Sequence, residues 1–251
     1  MIVLMYHALA GQTNRGDACP NRYDVDESAF ERHVQIVHNS GMQVVRFGML
    51  DSIEHGKDGC VRLVTCFTFD DGHRSFLRAA GVLAGKGLAG TFFLVRDHCE
   101  ERAEYLDHKE IGELVSMGME VGTHGCSHRP LSRLADGDLY RELRDGKRWL
   151  EDIVSAKVDT MSVPGGFCGQ RVVRAAREVG YRLIGTSLER VCRAPVRGIV
   201  VPRVCMRRMF TDKVFMKILN EDRMWLLGRR VRQGVLAVTK GLTGRGSGLR
   251  P

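Results

Sequence analysis

Three short segments of the sequence combine carboxylates, imidazoles and glycines in patterns that could do hydrolytic chemistry. The first is the adjacent pair Asp70 and Asp71, which follows the apolar run 61–69 and precedes Gly72. Two neighbouring carboxylates repel each other unless a cation or a shared proton relieves the charge. A metal ion would provide that relief. An ordinary turn or helix N-cap is the alternative interpretation of an Asp-Asp-Gly tripeptide.

The second segment contains two histidines four residues apart. His124 and His128 follow the apolar run 119–123, and imidazoles at this spacing can converge on one cation from a helical turn or a compact loop. Together with one carboxylate of the aspartate pair, they would form a two-histidine, one-aspartate set. Such a set leaves positions open for water and substrate, as a catalytic metal requires.

The third segment is the turn Pro164-Gly165-Gly166, which follows the run 158–163. Its glycines allow the backbone to approach a ligand closely, although a plain turn explains them equally well.

The elements that must position these segments are visible as short apolar, β-branched runs. They occupy residues 2–6, 42–47, 61–69, 90–95, 119–123, 158–163, 182–186 and 199–204. Segments with helical spacing separate them, and several of these segments close with glycine. About eight strands alternating with helices predict βα units, hence a closed barrel or a doubly wound sheet, in which reactive groups collect at the carboxyl ends of the strands.

Composition bounds the remaining possibilities. With 251 residues, 43% hydrophobic and 27% charged, the chain is neither disordered nor fibrous, and its length suits a single barrel of roughly 250 residues. The apolar runs are too short to span a bilayer. The first residues show no signal-peptide pattern, which favours a cytoplasmic location. The eight cysteines are scattered singly and are expected to be buried thiols.

The net charge of +8 is confined to one end of the chain. Residues 1–206 hold 27 basic and 27 acidic residues, whereas residues 207–251 hold 11 and 3. We therefore predict a barrel over 1–206 and a basic C-terminal extension over 207–251, helical at first and ending in a disordered Gly/Arg-rich stretch. The extension caps the barrel with a solvated basic face, or it makes peripheral contact with an anionic membrane. No nucleic acid is expected, because basic charge is its only support.

The motifs at 68–72, 122–128 and 164–166 resemble, in order and strand context, those of the polysaccharide deacetylases (carbohydrate esterase family 4, the NodB homology domain). The resemblance runs from about Met1 to Arg203. It implies an α/β fold, a distorted (β/α)7-8 barrel. It also implies removal of N-acetyl groups from amino sugars with one divalent metal ion, zinc in the first place and cobalt or nickel as alternatives.

The resemblance assigns roles by position. Asp70 corresponds to the general base, and the amide of Gly165, beside Pro164, corresponds to the group that stabilises the oxyanion. The implied metal ligands are Asp71, His124 and His128.

Two departures from the family pattern concern catalysis. Many members begin the turn motif with an arginine that orients the base, but this chain has Ser162, so that contact is absent or comes from elsewhere. The usual late-strand histidine, the general acid, is also missing. His7 resembles the histidine that opens a permuted branch, the poly-N-acetylglucosamine deacetylases, and is the predicted acid. His73 is the competing candidate.

The predicted function is therefore a metal-dependent hydrolase that deacetylates amino sugars of a polysaccharide or glycoconjugate precursor. Two alternatives stay open. One is a deacylase or deformylase of a lipid-linked amino sugar, and the other is a non-catalytic glycan-binding barrel, which the two departures would favour.

Overall fold

The computed structural model describes residues 1–11, 21–53, 63–192, 196, 198–229 and 231. The strands are β1 Ile2–Tyr6, β2 Leu9–Ala10, β3 Val25–Asp26, β4 Gln43–Val44, β5 Val64–Asp71, β6 Gly90–Leu94, β7 Glu120–Thr123, β8 Thr160–Ser162, β9 Leu183–Thr186, β10 Val200–Pro202 and β11 Val204–Cys205. The helices are α1 Glu27–Asn39, α2 Phe76–Ala84, α3 Arg96–Glu101, α4 His108–Ser116, α5 Asp136–Val154, α6 Gln170–Val179 and α7 Asp212–Leu219.

Within the described residues, a nine-stranded sheet forms the centre of the molecule. Its strand order is β10-β9-β8-β7-β6-β5-β1-β11, and β4 pairs with β5 beside this path. The strand pairs of this sheet are all parallel. Parallel sheets are covered on both faces, which explains why the strands are nearly continuous apolar runs. The predicted (β/α) barrel fold is confirmed.

One short stretch of chain joins the two edges of the sheet, which is nearly closed into a barrel. β10 pairs with β9 at one edge of the sheet, and β11 pairs with β1 at the other. A single residue, Arg203, separates these two strands. The run predicted as one strand at 199–204 is thus split in two, because the chain crosses there from one edge of the sheet to the other.

Side-chain alternation separates the inside of the barrel from the layer under the helices. Phe67 and Phe69 of β5 pack in the large cluster beneath the helices, whereas Cys66 belongs to the cluster inside the barrel. Successive side chains of a strand point to opposite faces. Thr68 and Asp70 therefore share the inner face with Cys66.

The start of the C-terminal extension is packed into the molecule. α7 buries Phe215, Ile218 and Leu219 in the cluster beneath the helices, and a further helical segment covers 223–229. The boundary at 206/207 stays a prediction, and the predicted Gly/Arg-rich end lies outside the described residues. No helix in the described ranges has the length and apolarity needed to cross a bilayer.

Candidate active site

The aspartate pair lies at the carboxyl end of β5, as the sequence predicts. Asp70 is 3% exposed and lies inside the barrel. Asp71 has a φ of 88°, in the left-handed region that non-glycine residues rarely adopt. Such strain occurs most often at functional sites. Here the turn carries the two neighbouring carboxylates to different partners.

Asp71 meets both histidines of the second motif. Its Oδ1 lies 3.3 Å from Nε2 of His124 and 3.2 Å from Nε2 of His128. The candidate ligand atoms of the three residues lie within 4.8 Å of one another. The structure thus brings the predicted two-histidine, one-aspartate set together.

The donor atoms of this cluster suit a divalent cation. His124 donates from Nδ1 to the carbonyl of Ser162 at 3.0 Å, because a carbonyl can only accept. In a neutral imidazole this places the free lone pair on Nε2, which faces Asp71. Oδ1 of Asp71 is buried and makes no hydrogen bond within the described part of the chain. A buried, unsatisfied carboxylate oxygen between two imidazole nitrogens is the arrangement that a bound cation would complete.

Arg203, which belongs to none of the three sequence motifs, orients Asp70. Nη1 donates to Oδ1 at 2.7 Å and Nη2 donates to Oδ2 at 2.7 Å. Ser162 donates its hydroxyl to Oδ2 at 2.9 Å and accepts from Nη2 of Arg203 at 2.7 Å. The arginine contact that is missing at position 162 therefore comes from elsewhere in the chain. The signal in the sequence was a single charged residue within an apolar run.

This pairing determines the charge state of Asp70. Burial by itself raises the pKa of the carboxyl group, but the charges of Arg203 and His124 and the hydrogen bonds from Arg203 outweigh it, and the net pKa is lowered. Asp70 is therefore ionised at neutral pH, the state in which a carboxylate can accept a proton.

His7 lies just after β1, at the same end of the barrel. Its ring stacks on Tyr23 with centroids 5.1 Å apart, and its buried Nδ1 has no hydrogen-bond partner among the described residues. A positive charge on His7 would lower the pKa of both Asp70 and Asp71. The His7 side chain as a whole is half-buried.

His73, the competing candidate, is engaged in a local turn. Its Nδ1 accepts the backbone N–H of Ser75 at 3.1 Å and lies 2.9 Å from the Ser75 hydroxyl. Its ring packs edge-on against Tyr105. Burial lowers the pKa of His73. The local hydrogen bonds give His73 a structural role in holding the turn that follows the aspartate pair.

The Pro164-Gly165-Gly166 turn adopts a conformation that requires glycine. Gly165 and Gly166 have φ values of 74° and 78°, and a Cβ on Gly166 would lie 1.8 Å from Oγ of Ser187. Gly166 donates to the carbonyl of Val163 at 2.8 Å. Gly165 lies outside the helices and strands. In the described part of the chain, its N–H makes no hydrogen bond to a backbone carbonyl, so it is available to a ligand.

Known proteins resemble this chain in the region that contains the three motifs. The sequence profile of the polysaccharide deacetylase family matches residues 61–184. A peptidoglycan-N-acetylglucosamine deacetylase from Bacillus cereus is 27% identical over 123 residues, which cover 48% of this chain and 55% of that protein. The match therefore spans about half the length of this curated relative.

Two solved structures share the fold over most of the chain. The Streptococcus pyogenes deacetylase PplD in complex with acetate has a TM-score of 0.78 at 19% identity, covering 87% of this chain and 97% of that one. IcaB from Ammonifex degensii has a TM-score of 0.73 at 21% identity, covering 90% and 96%. At these identities the similarity shows that the barrel architecture is shared.

Proposed function

Because this chain belongs to the polysaccharide deacetylase family, we propose that it is a metal-dependent hydrolase that removes N-acetyl groups from amino sugars. The substrate would be a polysaccharide or a glycoconjugate precursor. The name of the Bacillus cereus relative, a peptidoglycan-N-acetylglucosamine deacetylase, supports this class of substrate. The order of the elements, with the predicted acid directly after the first strand, favours the poly-N-acetylglucosamine branch.

The proposal depends on one observation: the side chains of Asp71, His124 and His128 cluster together, next in sequence to the buried Asp70. These three residues would hold the cation, for which the mixed imidazole and carboxylate set favours zinc, with cobalt or nickel as alternatives. When bound, the cation would acidify water and polarise the amide carbonyl.

Asp70 has the charge and the free acceptor site that a general base needs. Oδ2 already accepts from Arg203 and Ser162, whereas Oδ1 accepts from Arg203 alone. A carboxylate oxygen can accept two hydrogen bonds. Oδ1 can therefore take the proton of the attacking water while Arg203 keeps the carboxylate in position.

Two further groups serve the later steps of hydrolysis. The N–H of Gly165 would donate to the oxyanion that forms when water adds to the amide. His7 would protonate the amine as it leaves, so that a neutral amine departs. The mechanism thus uses residues at or just beyond the carboxyl ends of the strands β1, β5, β7 and β8.

The alternatives carry different weight. The Ser162 departure no longer favours a non-catalytic barrel, because Arg203 supplies the missing contact. A deacylase or deformylase of a lipid-linked amino sugar remains an alternative. The residues described above act on the amide and do not select the rest of the substrate.

The decisive test combines metal content with acetate release from N-acetylated glucosamine oligomers. We expect close to one divalent ion per chain in the wild type and a loss of both metal and activity in the double variant H124A/H128A. The variant D70N should retain the metal and lose turnover by about 10²–10⁴-fold, the range for general-base catalysis. Wild-type protein that binds no zinc or cobalt after dialysis would contradict the proposal and favour the non-catalytic barrel.

A specific observation also supports peripheral membrane contact. In the helical segment 223–229 and at Val231 beyond it, Met224, Leu227 and Val231 are 79%, 51% and 60% exposed, and they are spaced to share one helix face. Leu226 and Arg229 face the protein instead.

Together with the basic charge of 207–251, the exposed apolar face suits contact with anionic lipid. In sedimentation with phosphatidylglycerol vesicles, M224S/L227S should lose binding; unchanged binding would refute the contact.

A further inference from the structure

A buried carboxylate that the mechanism does not use holds the loop that carries the two histidines. Glu142, on α5, is 9% exposed. Its Oε2 accepts the backbone N–H groups of Cys126 at 2.7 Å and of Ser127 at 3.0 Å, and its Oε1 accepts the hydroxyl of Ser127. Three hydrogen bonds from two consecutive residues converge on this one side chain.

The loop needs external support because its shape is unfavourable. Gly125 has a φ of 81° and His128 has a φ of 57°, so the chain enters the left-handed region twice within five residues. Consecutive N–H groups in such a conformation form a concave site for an anion. Unless a partner accepts them, buried N–H groups destabilise the conformation that buries them.

The opposite side of the loop is held by the backbone that begins α3. The N–H of Arg96 donates to the carbonyl of Gly125 at 3.3 Å, and the N–H of Asp97 donates to that of Cys126 at 2.9 Å. Gly146, one turn after Glu142, lets α5 come close, since a Cβ there would lie 3.3 Å from the backbone of Gly125. The loop is therefore clamped between α3 and α5.

We propose that Glu142 is a positioning residue for the metal site. Its carboxylate holds residues 126 and 127 so that Nε2 of His124 and Nε2 of His128 both face Asp71. This inference rests on one part of the proposed function, namely that Asp71, His124 and His128 bind a divalent cation. Glu142 acts through the loop and does not itself contact the cation or the substrate.

The charge of Glu142 is what its substitution by glutamine removes. A glutamine is nearly the same size, and its oxygen can still accept the two backbone N–H groups, but its NH₂ group cannot accept the Ser127 hydroxyl and can only donate to it. Hydrogen bonds to an ionised acceptor are also about twice as strong as neutral ones. In E142Q the loop should therefore be held less firmly, while the helix and the core remain intact.

The experiment measures cobalt affinity by chelator competition and the visible spectrum of the cobalt-loaded protein. We compare the wild type with E142Q and with E113Q, whose glutamate is exposed on α4 and pairs with Lys109 at the surface. We expect the cobalt Kd of E142Q to rise about 10–100-fold, as when partners that orient metal ligands are removed. Its cobalt bands should also change in position or intensity at saturation. E113Q should match the wild type.

The outcomes separate this proposal from the proposed function. The positioning role would be overturned if E142Q bound cobalt with the same Kd and spectrum as the wild type, even with a lower Tm. The proposed function would then remain intact. A wild type that binds no cobalt would overturn both. S127A removes only one of the three hydrogen bonds and should raise the Kd by a smaller factor, so it supplies the test if E142Q does not fold. An S127A that binds cobalt as the wild type does would then refute the role.

Discussion

Arg203 holds both carboxylate oxygens of Asp70, at 2.7 Å each, inside the barrel. It also donates from Nε to the carbonyl of Thr186 and from Nη1 to the hydroxyl of Thr68. Arg203 lies where the chain passes from one edge of the sheet to the other, between β10 and β11. The residue that orients the proposed base thus also occupies the closure of the barrel.

Replacing Arg203 with lysine should shift the pH dependence of hydrolysis. Lysine keeps the charge but cannot donate to both oxygens at once, so the pKa of Asp70, which Arg203 lowers, should rise. Because Asp70 must be ionised to act as a base, the acidic limb of the kcat/KM profile should move to higher pH. Ser162→Ala is the control, and the shift it causes should be smaller. An unchanged acidic limb in R203K would argue against this role of Arg203.

Replacing His7 with alanine should slow the departure of the amine. We expect acetate release from an amide substrate to fall by about 10²–10⁴-fold with no change in metal content. An aryl acetate ester, whose leaving group needs no protonation, should lose much less. His73→Ala is the matched control: because His73 holds a turn, any loss it causes should be the same for both substrates. The reverse pattern would identify His73 as the acid.

Removing the charge of Arg229 should destabilise the protein. Arg229 donates to both oxygens of Glu189 at 2.6 and 2.7 Å, and Glu189 is fully buried. Arg207 also pairs with Glu189, at 3.4 Å. R229M should lower the free energy of unfolding by about 3 kcal/mol, because breaking a buried pair leaves a buried charge that is less well compensated. Urea unfolding measures this. R223M, at an exposed position on the same segment, should change it by less than ~0.5 kcal/mol.

His33 should make the protein less stable in mild acid. The imidazole is fully buried, with Nδ1 3.1 Å from the hydroxyl of Tyr6 and its ring stacked on Phe215. Burial lowers its pKa to about 4, whereas the unfolded value is about 6.5.

The sign of the effect follows from proton uptake. The unfolded chain binds a proton at His33 as the pH falls below about 6.5, and the folded protein does not until the pH approaches 4. The free energy of unfolding should therefore fall by about 2 kcal/mol from this group between pH 7 and pH 5. Thermal unfolding of wild type and H33F across this range tests the effect. A wild type and H33F that lose the same stability would contradict it.

The sequence by itself determined the positions of the strands of the main sheet and the reactive motifs, but not the small sheet of β2 and β3. Each of the eight predicted apolar runs overlaps a strand of the structure, and the predicted set of Asp71, His124 and His128 comes together. These features are local: periodicity reports which faces are buried, and a motif at the end of a strand lies at the same barrel rim as the others.

The tertiary structure alone decided which distant residues support that site. Arg203 reaches Asp70 across 133 positions of sequence, and Glu142 reaches the histidine loop from a helix whose own pattern marks Glu142 only as a polar residue. Periodicity shows that a residue faces the core but not which residues it meets there. That partner depends on strand order, on the closure of the barrel between β10 and β11, and on the close approach that Gly146 allows.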